Sequence, residues 1–183
     1  MIFGLKKLYR PEYFQGESRP GKYFEGWYFK LSFRGEAFAV IPGVSLADPH
    51  AFIQVIQGPA GLSSYHRFPL EAFHSRRDRF QISLGENLFS LERVRLQLEG
   101  FEAELEIRER VRWPSSALSP SSMGWYSFAR FMECYHGVIV MDGTAEGRVN
   151  GRTCREGRFY LEKDWGNSFP RAWIWMQSND FGA

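Results

Sequence analysis

Alternation of apolar and polar positions with a period of two runs through much of the chain and predicts β-strands. In residues 101–108, apolar side chains alternate with charged ones, and residues 80–84 and 94–98 repeat the pattern with apolar and polar positions. Such a segment, when extended, presents one apolar face and one polar face. The short polar stretches at residues 85–87 and 99–100 each contain a glycine and predict tight turns.

The same kind of segment recurs near the start and in the last third of the chain. Further strand candidates are residues 22–33, 36–41, 52–56, 137–149, 155–165 and 171–179. Asn150-Gly151 predicts a two-residue turn between two of them. Short strands separated by turns about every ten residues predict an all-β fold, an antiparallel barrel or sandwich, rather than a βαβ fold.

One segment does not fit this alternation. Apolar residues within 124–134 have helical spacing, so this stretch is either a helical turn or an irregular extended connection. The preceding residues 114–122 are rich in serine and proline, but they are few enough to form a loop inside one domain. We therefore interpret residues 1–183 as a single domain.

The composition is unusual only in its aromatic content. Phe 17, Tyr 8 and Trp 6 make up 17% of the chain, which offers ample apolar surface for a core and excludes a disordered protein. Lys+Arg 23 against Asp+Glu 21 gives a net charge of +2, which does not favour a nucleic-acid partner. Residues 37–47, the most apolar run, fall short of the roughly 20 residues of a transmembrane helix. The first residues lack the features of a signal peptide, so we expect a cytoplasmic protein.

Common catalytic motifs do not occur in the chain. It contains no GxGxxG, phosphate-loop, HExxH or GxSxG pattern. The four histidines are isolated from one another, and the two cysteines lack the paired spacing of a zinc site. The sequence therefore predicts neither a metal site nor a cofactor.

Two segments combine a titratable residue with large aromatic residues. In residues 23–30, an extended chain places Glu25 and Trp27 on the same face, either at a binding site or in a core strand with the carboxylate at its mouth. Residues 123–137 contain Trp125 and His136, which belong either to a site or to a packed connection.

The segment 160–166 is the most informative. In a strand, Tyr160, Glu162 and Asp164 share one face, and Lys163 points to the other, where it is poorly placed to neutralise the two carboxylates. Carboxylates about 7 Å apart in aromatic surroundings disfavour joint ionisation, so one of them could stay protonated as a general acid requires. Alternatively, this face is solvated and both acids are exposed.

Three stretches in this order resemble the tocopherol cyclase family: Tyr-Phe-Glu-Gly-Trp-Tyr-Phe-Lys at 23–30, Met-Glu-Cys-Tyr-His-Gly-Val at 132–138, and the run from Tyr160 to Asn179. The resemblance implies a lipocalin-like, all-β architecture, normally with two barrel-like halves, of which this chain would contain the first half and its junction. It also implies an activity without a cofactor. An acid protonates a prenyl double bond, and a phenol oxygen attacks the resulting tertiary cation to give a chromanol.

The resemblance also implies roles for individual residues. The acid would be Glu162 or Asp164, and Tyr160 with Glu162 matches a Tyr-x-Asp pair of the more distant carotenoid hydratases. Aromatic faces would protect the cation, and polar side chains would orient the phenol. The expected substrate-binding residues are Glu25, Trp27, Trp125, His136, Trp165, Trp173, Trp175 and Asn179.

Two functions remain open from the sequence, beside a third reading as a purely structural half-domain. The first is a cyclase-type isomerase acting on a hydrophobic small molecule, a prenylated phenol or quinol. The second is a lipocalin-like carrier that holds a prenyl lipid without transforming it. Burial of Glu162 and Asp164 beside aromatic side chains would favour the enzyme, whereas exposure to bulk water would favour the carrier. Peripheral contact with a membrane is compatible with either function.

Overall fold

Eleven antiparallel β-strands form the computed structural model, which describes residues 7–17, 21–58, 60–129, 131–168, 171, 172, 174 and 176. The strands are β1 (Phe24–Phe33), β2 (Glu36–Ser45), β3 (His50–Gln57), β4 (Leu62–Phe68), β5 (Phe73–Ser75), β6 (Gln81–Leu84), β7 (Asn87–Ser90), β8 (Arg93–Leu98), β9 (Phe101–Arg112), β10 (Cys134–Val149) and β11 (Arg152–Gly166). Two short 3-10 helices, Leu70–Ala72 and Gly124–Phe128, lie between β4 and β5 and between β9 and β10.

The strands form one sheet in the order β4-β3-β2-β1-β11-β10-β9-β8-β7-β6-β5. Neighbouring strands are therefore consecutive in the chain except where β1 pairs with β11, and the consecutive strands β4 and β5 lie at the two ends of the order. The sheet curls into a nearly closed barrel. Side chains from strands that are distant in the sheet order therefore meet inside it. The ring of Phe29 lies 6.3 Å from that of Phe80 and 5.3 Å from that of Phe89. The predicted all-β antiparallel barrel is confirmed.

The barrel interior is a packed core. Alternate residues of β1 are buried, as the period-two pattern predicts, and Trp27, Phe29 and Leu31 point inward. An interior void bordered by Phe29, Phe38 and other core residues has a volume of about 20 Å³. That is far below the roughly 300–1,000 Å³ of small-molecule binding sites. This void does not hold a prenyl lipid.

Residues 11–15 pack against buried polar groups of β1 and β11. The indole Nε1 of Trp27 donates a hydrogen bond to the carbonyl of Glu12 at 2.8 Å. The ammonium of Lys163 donates to the carbonyls of Pro11 and Tyr13 at 2.8 and 2.7 Å. The N-terminal segment is thus fixed to β1 and β11.

Most predicted strands are present, and several are longer than expected. β2 continues to Ser45 through Pro42, which lacks an N–H; the register of β1 with β2 is interrupted between Gly43 and Val40. The short strands β4 and β5 were not predicted. β4 consists almost entirely of exposed or half-buried residues and so lacks an apolar alternation. The ambiguous segment 124–134 contains the 3-10 helix Gly124–Phe128 before β10 begins.

The strand predicted at 171–179 falls mainly on residues outside the described part of the chain. Within the described residues, the structure contains no helix long and apolar enough to cross a bilayer.

Candidate functional site

Strand β11 presents the predicted acidic residues on the face that points away from the barrel interior. Its residues Phe159 and Leu161 belong to the core cluster, so Tyr160, Glu162 and Asp164 lie on the opposite, outer face. This arrangement agrees with the sequence analysis. The site therefore lies on the outside of the sheet rather than in a cavity of the barrel.

The two neighbouring strands add three side chains to this outer face. Residues paired in register on adjacent strands point to the same side of a sheet. On β1, Tyr28 pairs with Glu162, and Lys30 pairs with Tyr160. On β10, His136 pairs with Asp164.

Four of these side chains form a continuous set of polar contacts, which we call the outer-face cluster: Tyr160, Glu162, His136 and Asp164. The Tyr160 hydroxyl donates a hydrogen bond to Glu162 Oε2 at 2.5 Å. The His136 ring lies between the two carboxylates, with Nδ1 2.9 Å from Asp164 Oδ1 and Nε2 3.8 Å from Glu162 Oε2. The imidazole can therefore exchange a proton with either acid after a small movement.

The outer-face cluster has a closed end and an open end. Tyr160 and Glu162 are 9% and 4% exposed. The side chains of His136 and Asp164 are 36% and 34% exposed. A ligand would therefore approach the open end, where His136 and Asp164 lie, and would meet Glu162 at the closed end.

The environment shifts the pKa values of several groups at this site. Burial lowers the pKa of His136, but the hydrogen bond to Asp164 and the charges of Asp164 and Glu162 outweigh it and raise the pKa above 6.5. Burial, followed by the hydrogen bond to Glu162, raises the pKa of Tyr160, so its hydroxyl keeps its proton and donates. Burial and the Glu162 charge also raise the pKa of Tyr28.

The cations near the carboxylates come from neighbouring strands. Lys163 lies on the opposite face from Glu162, as predicted, but His136 and Lys30 bring basic groups to the same face. Burial lowers the pKa of Lys30, and the charge of Glu162 partly opposes this effect. The two acids are therefore better compensated than β11 alone suggests.

Three predicted substrate-binding residues lie on the inner face instead. Glu25 pairs with Trp165, and Trp27 pairs with Lys163, so all four point away from the outer-face cluster. Glu25 is fully buried and accepts hydrogen bonds from the Tyr23 hydroxyl at 2.6 Å and from Lys163. The structure does not bring Glu25, Trp27 and Trp165 together with Glu162.

Lys163 and Glu25 form a buried ion pair between aromatic rings. The Lys163 ammonium lies 4.8 Å from the ring centre of Trp27 and 4.7 Å from that of Trp165. Burial lowers the pKa of Lys163 to about 8, against the opposing effect of Glu25. Its contacts with the N-terminal segment assign this pair a structural role.

The remaining predicted residues separate into two groups. Trp125 lies on the 3-10 helix Gly124–Phe128, is 62% exposed and stacks on Tyr126 with ring centres 4.0 Å apart. Its loop borders the outer-face cluster, because the backbone N–H of His136 donates to Met123 Sδ at 3.1 Å. Trp173, Trp175 and Asn179 lie outside the described residues, and their proposed roles stay predictions.

Tyr28 and Lys30 are the candidate functional residues that sequence reasoning missed. Both alternate with Trp27 and Phe29 along β1, so the pattern assigns them to the other face. Their position beside Glu162 depends on the pairing of β1 with β11, which joins segments more than a hundred residues apart. Only knowledge of that pairing could have identified them.

A cleft of about 450 Å³ lies beside β10, at the strand edge that faces away from β11. The residues that line it include Tyr9, Arg112, Trp113, Pro120, Val138 and Ile139. Val138 is the register partner of Glu162. The cleft thus reaches the strand next to the outer-face cluster, and its volume lies in the range of small-molecule sites, about 300–1,000 Å³.

The described residues contain no group of three or more His, Cys, Asp or Glu side chains that could hold a metal ion. The hydrogen bonds of the outer-face cluster show that it contains proton donors and acceptors.

Comparison with a solved structure finds a barrel of low similarity. A Nitrosomonas europaea protein provisionally assigned as AttH matches with a TM-score of 0.48 and 15% sequence identity. The match covers 81% of this chain and 52% of that protein.

Sequence comparisons point to one family. The chloroplastic tocopherol cyclase of Zea mays is 32% identical over 65 residues, which cover 33% of this chain and 14% of the maize protein. The chain thus spans only a small part of this relative. The sequence model of the tocopherol cyclase-like family matches residues 93–183, which contain all four residues of the outer-face cluster. The two sequence matches therefore support a tocopherol cyclase-like family for residues 93–183 of this chain.

Proposed function

We propose that the protein closes the ring of a prenylated phenol or quinol to give a chromanol, with Glu162 as the acid. The observation that carries this proposal is the position of Glu162, which is buried between the Tyr160 hydroxyl and the His136 imidazole. Protonating an alkene requires a proton donor shielded from water and a means of supplying its proton. The outer-face cluster meets both requirements.

The reaction is an isomerisation that needs no cofactor. The carboxylic acid of Glu162 transfers its proton to one carbon of the prenyl double bond, which breaks the π bond and leaves a tertiary cation on the other carbon. The phenol oxygen attacks this cation and forms the C–O bond of the new ring. The phenolic proton then returns to the Glu162 carboxylate, so the acid is regenerated and all atoms balance.

His136 would exchange the proton of Glu162 with solvent between turnovers, without adding a proton to the reaction itself. The raised pKa of His136 favours its protonated form near neutral pH. A protonated imidazole donates from both nitrogens, so one N–H holds Asp164 while the other is directed to Glu162. The distance of 3.8 Å between Nε2 and Glu162 Oε2 requires a movement of about 1 Å to form a hydrogen bond.

Aromatic side chains beside Glu162 would stabilise the cation. Tyr28 lies directly opposite Glu162 across the β1–β11 pairing, and Tyr160 contacts it. The negative face of an aromatic ring attracts a cation, and the burial of Tyr160 limits attack by water. In this proposal, Tyr28 and Tyr160 take the part that the sequence analysis gave to Trp27 and Trp165.

The cleft beside Val138 is the proposed place for the rest of the substrate. Its walls combine apolar residues such as Trp113 and Ile139 with the guanidinium group of Arg112. Such a lining suits a molecule with an apolar chain and a hydroxylated ring. The carrier hypothesis, by contrast, requires an interior cavity, and the interior void of about 20 Å³ does not favour it.

The test is incubation of the protein with a panel of prenylated phenols and quinols. Ring closure conserves mass, so products are followed by chromatographic retention together with mass spectrometry and by loss of a free hydroxyl. We expect Glu162→Gln to lower turnover by about 100-fold or more, the range of general acid catalysis. The matched control is Glu146→Gln, which changes a side chain that is 52% exposed and should leave turnover unchanged. Equal turnover of Glu162→Gln and the wild type would reject the assignment.

A further inference from the structure

The loop between β9 and β10 has an inverted burial pattern. Ser121 and Ser127 are 3% and 6% exposed, and their hydroxyls hydrogen-bond to each other at 2.7 Å. In the same loop, Trp125, Tyr126 and Phe128 are 62%, 45% and 41% exposed. Folding in water normally buries large aromatic side chains and leaves serine outside. This loop does the opposite, so its outer side presents apolar side chains to the surroundings.

Exposed apolar side chains occur along a longer segment, residues 113–132, which we call the aromatic loop. Leu118 and Phe131 are 81% and 77% exposed. A large exposed apolar patch marks a site of interaction with a protein or a membrane.

The aromatic loop is fixed to the barrel at several points. The Tyr135 hydroxyl donates to the carbonyl of Ala129 at 2.5 Å. The Tyr9 hydroxyl donates to the carbonyl of Ala117 at 2.9 Å, and the backbone N–H of Val138 donates to Ser122 Oγ at 3.0 Å. The exposed side chains therefore stand on a held backbone.

The charge of the aromatic loop indicates its partner. Residues 113–132 contain no acidic residue and one basic residue, Arg130. A surface without carboxylates meets phospholipid headgroups without repulsion, and tryptophan and tyrosine are enriched at the membrane–water interface. An interface with a specific protein normally has a polar rim; here the charged residues Arg112 and Glu133 lie at the two ends of the segment rather than within it.

We propose that the aromatic loop inserts its exposed rings into the interfacial region of a phospholipid bilayer. The inserted side chains are those of Leu118, Trp125, Phe128 and Phe131. The loop borders the open end of the outer-face cluster, so a membrane-bound protein would hold that end close to the lipid. This membrane binding goes beyond the proposed function, because it can be measured without any turnover of a substrate.

The experiment is co-sedimentation of the protein with phosphatidylcholine vesicles at increasing lipid concentration. We expect the wild type to bind, with little dependence on salt because the loop carries a single charge. The double variant Trp125→Ser/Phe128→Ser should bind about tenfold or more weakly, because burial of each large apolar side chain contributes about 1.5–3 kcal/mol. Thermal unfolding of the variant checks that the fold is intact.

The matched control is Leu62→Ser/Val111→Ser, which removes two apolar side chains that are 57% and 51% exposed outside the aromatic loop. This variant should bind vesicles as the wild type does. Failure of the wild type to bind vesicles, or equal binding by the loop variant, would overturn the proposal. Light scattering tests the competing occupant: a wild-type dimer that the loop variant abolishes, without vesicle binding, would assign the loop to self-association instead.

Discussion

Replacing Lys163 with methionine tests whether the buried ion pair with Glu25 holds the fold together. Lys163 has 0% of its surface exposed, and its ammonium contacts Glu25 and the carbonyls of Pro11 and Tyr13. Methionine keeps much of the volume of the side chain but removes the charge and these donors. The variant therefore leaves the carboxylate of Glu25 buried without its cation.

The magnitude follows from this loss. Breaking a buried ion pair by removing one partner destabilises a protein by about 3–5 kcal/mol, because the remaining charge stays desolvated. Glu25 keeps the hydrogen bonds from Tyr23 and from the backbone N–H of Gln15, so we expect a value near the lower end, about 3 kcal/mol. For a chain of this size, that corresponds to a fall in Tm of roughly 6–12 °C.

The assay is urea unfolding at pH 7, followed by circular dichroism and tryptophan fluorescence. The double variant Lys163→Met/Glu25→Gln is the control, because a neutral amide no longer needs the cation. We expect it to be less destabilised than the sum of the two single variants. A loss below about 1 kcal/mol in Lys163→Met would refute the structural role and would place Lys163 among groups that tolerate removal.

Two further predictions concern the outer face and the N-terminal segment. Burial lowers the pKa of His136, but Asp164 raises it overall, so protonated His136 adds stability that is complete below pH 6.5 and is lost as the pH rises through the raised pKa. Asp164→Asn should lower that pKa, measured by NMR titration of the imidazole Cε1 proton; an unchanged midpoint would contradict the contact. Gly137→Ala would place a Cβ 2.6 Å from Pro11 Cβ and should cost about 1–3 kcal/mol in urea unfolding. Gly26→Ala, whose nearest atom lies 3.4 Å away, should cost less, and equal losses would count against the packing of the N-terminal segment.

The strands could be predicted because their signal is local. In β9, apolar positions alternate with charged ones over residues 101–108, and the same alternation appears in the burial of that strand. The strands β4 and β5 could not be predicted, because β4 lies at the edge of the sheet with little of its surface buried and β5 has only three residues.

The candidate site could be predicted only within one strand. The common face of Tyr160, Glu162 and Asp164 follows from alternation along β11. The approach of Tyr28 and Lys30 depends on the pairing of strands that are distant in sequence, which alternation does not specify.

For Trp27 and Glu25 the sequence left two positions open, a binding site or a core strand, and could not decide between them for the same reason. Their side of β1 was predicted correctly, but that side faces Lys163 rather than the acids once β1 pairs with β11. A local pattern assigns faces within a strand, whereas a site requires the faces of several strands to be matched.

The most direct test of the proposed acid is ring closure carried out in deuterated water. In deuterated water the proton of Glu162 is replaced by deuterium, which the acid then transfers to a carbon of the prenyl double bond. A deuterium bound to that carbon does not exchange when the product is returned to ordinary water. The account predicts a chromanol one mass unit heavier from the wild type and from Glu146→Gln, and no such product from Glu162→Gln. A labelled chromanol formed equally fast by Glu162→Gln would contradict it.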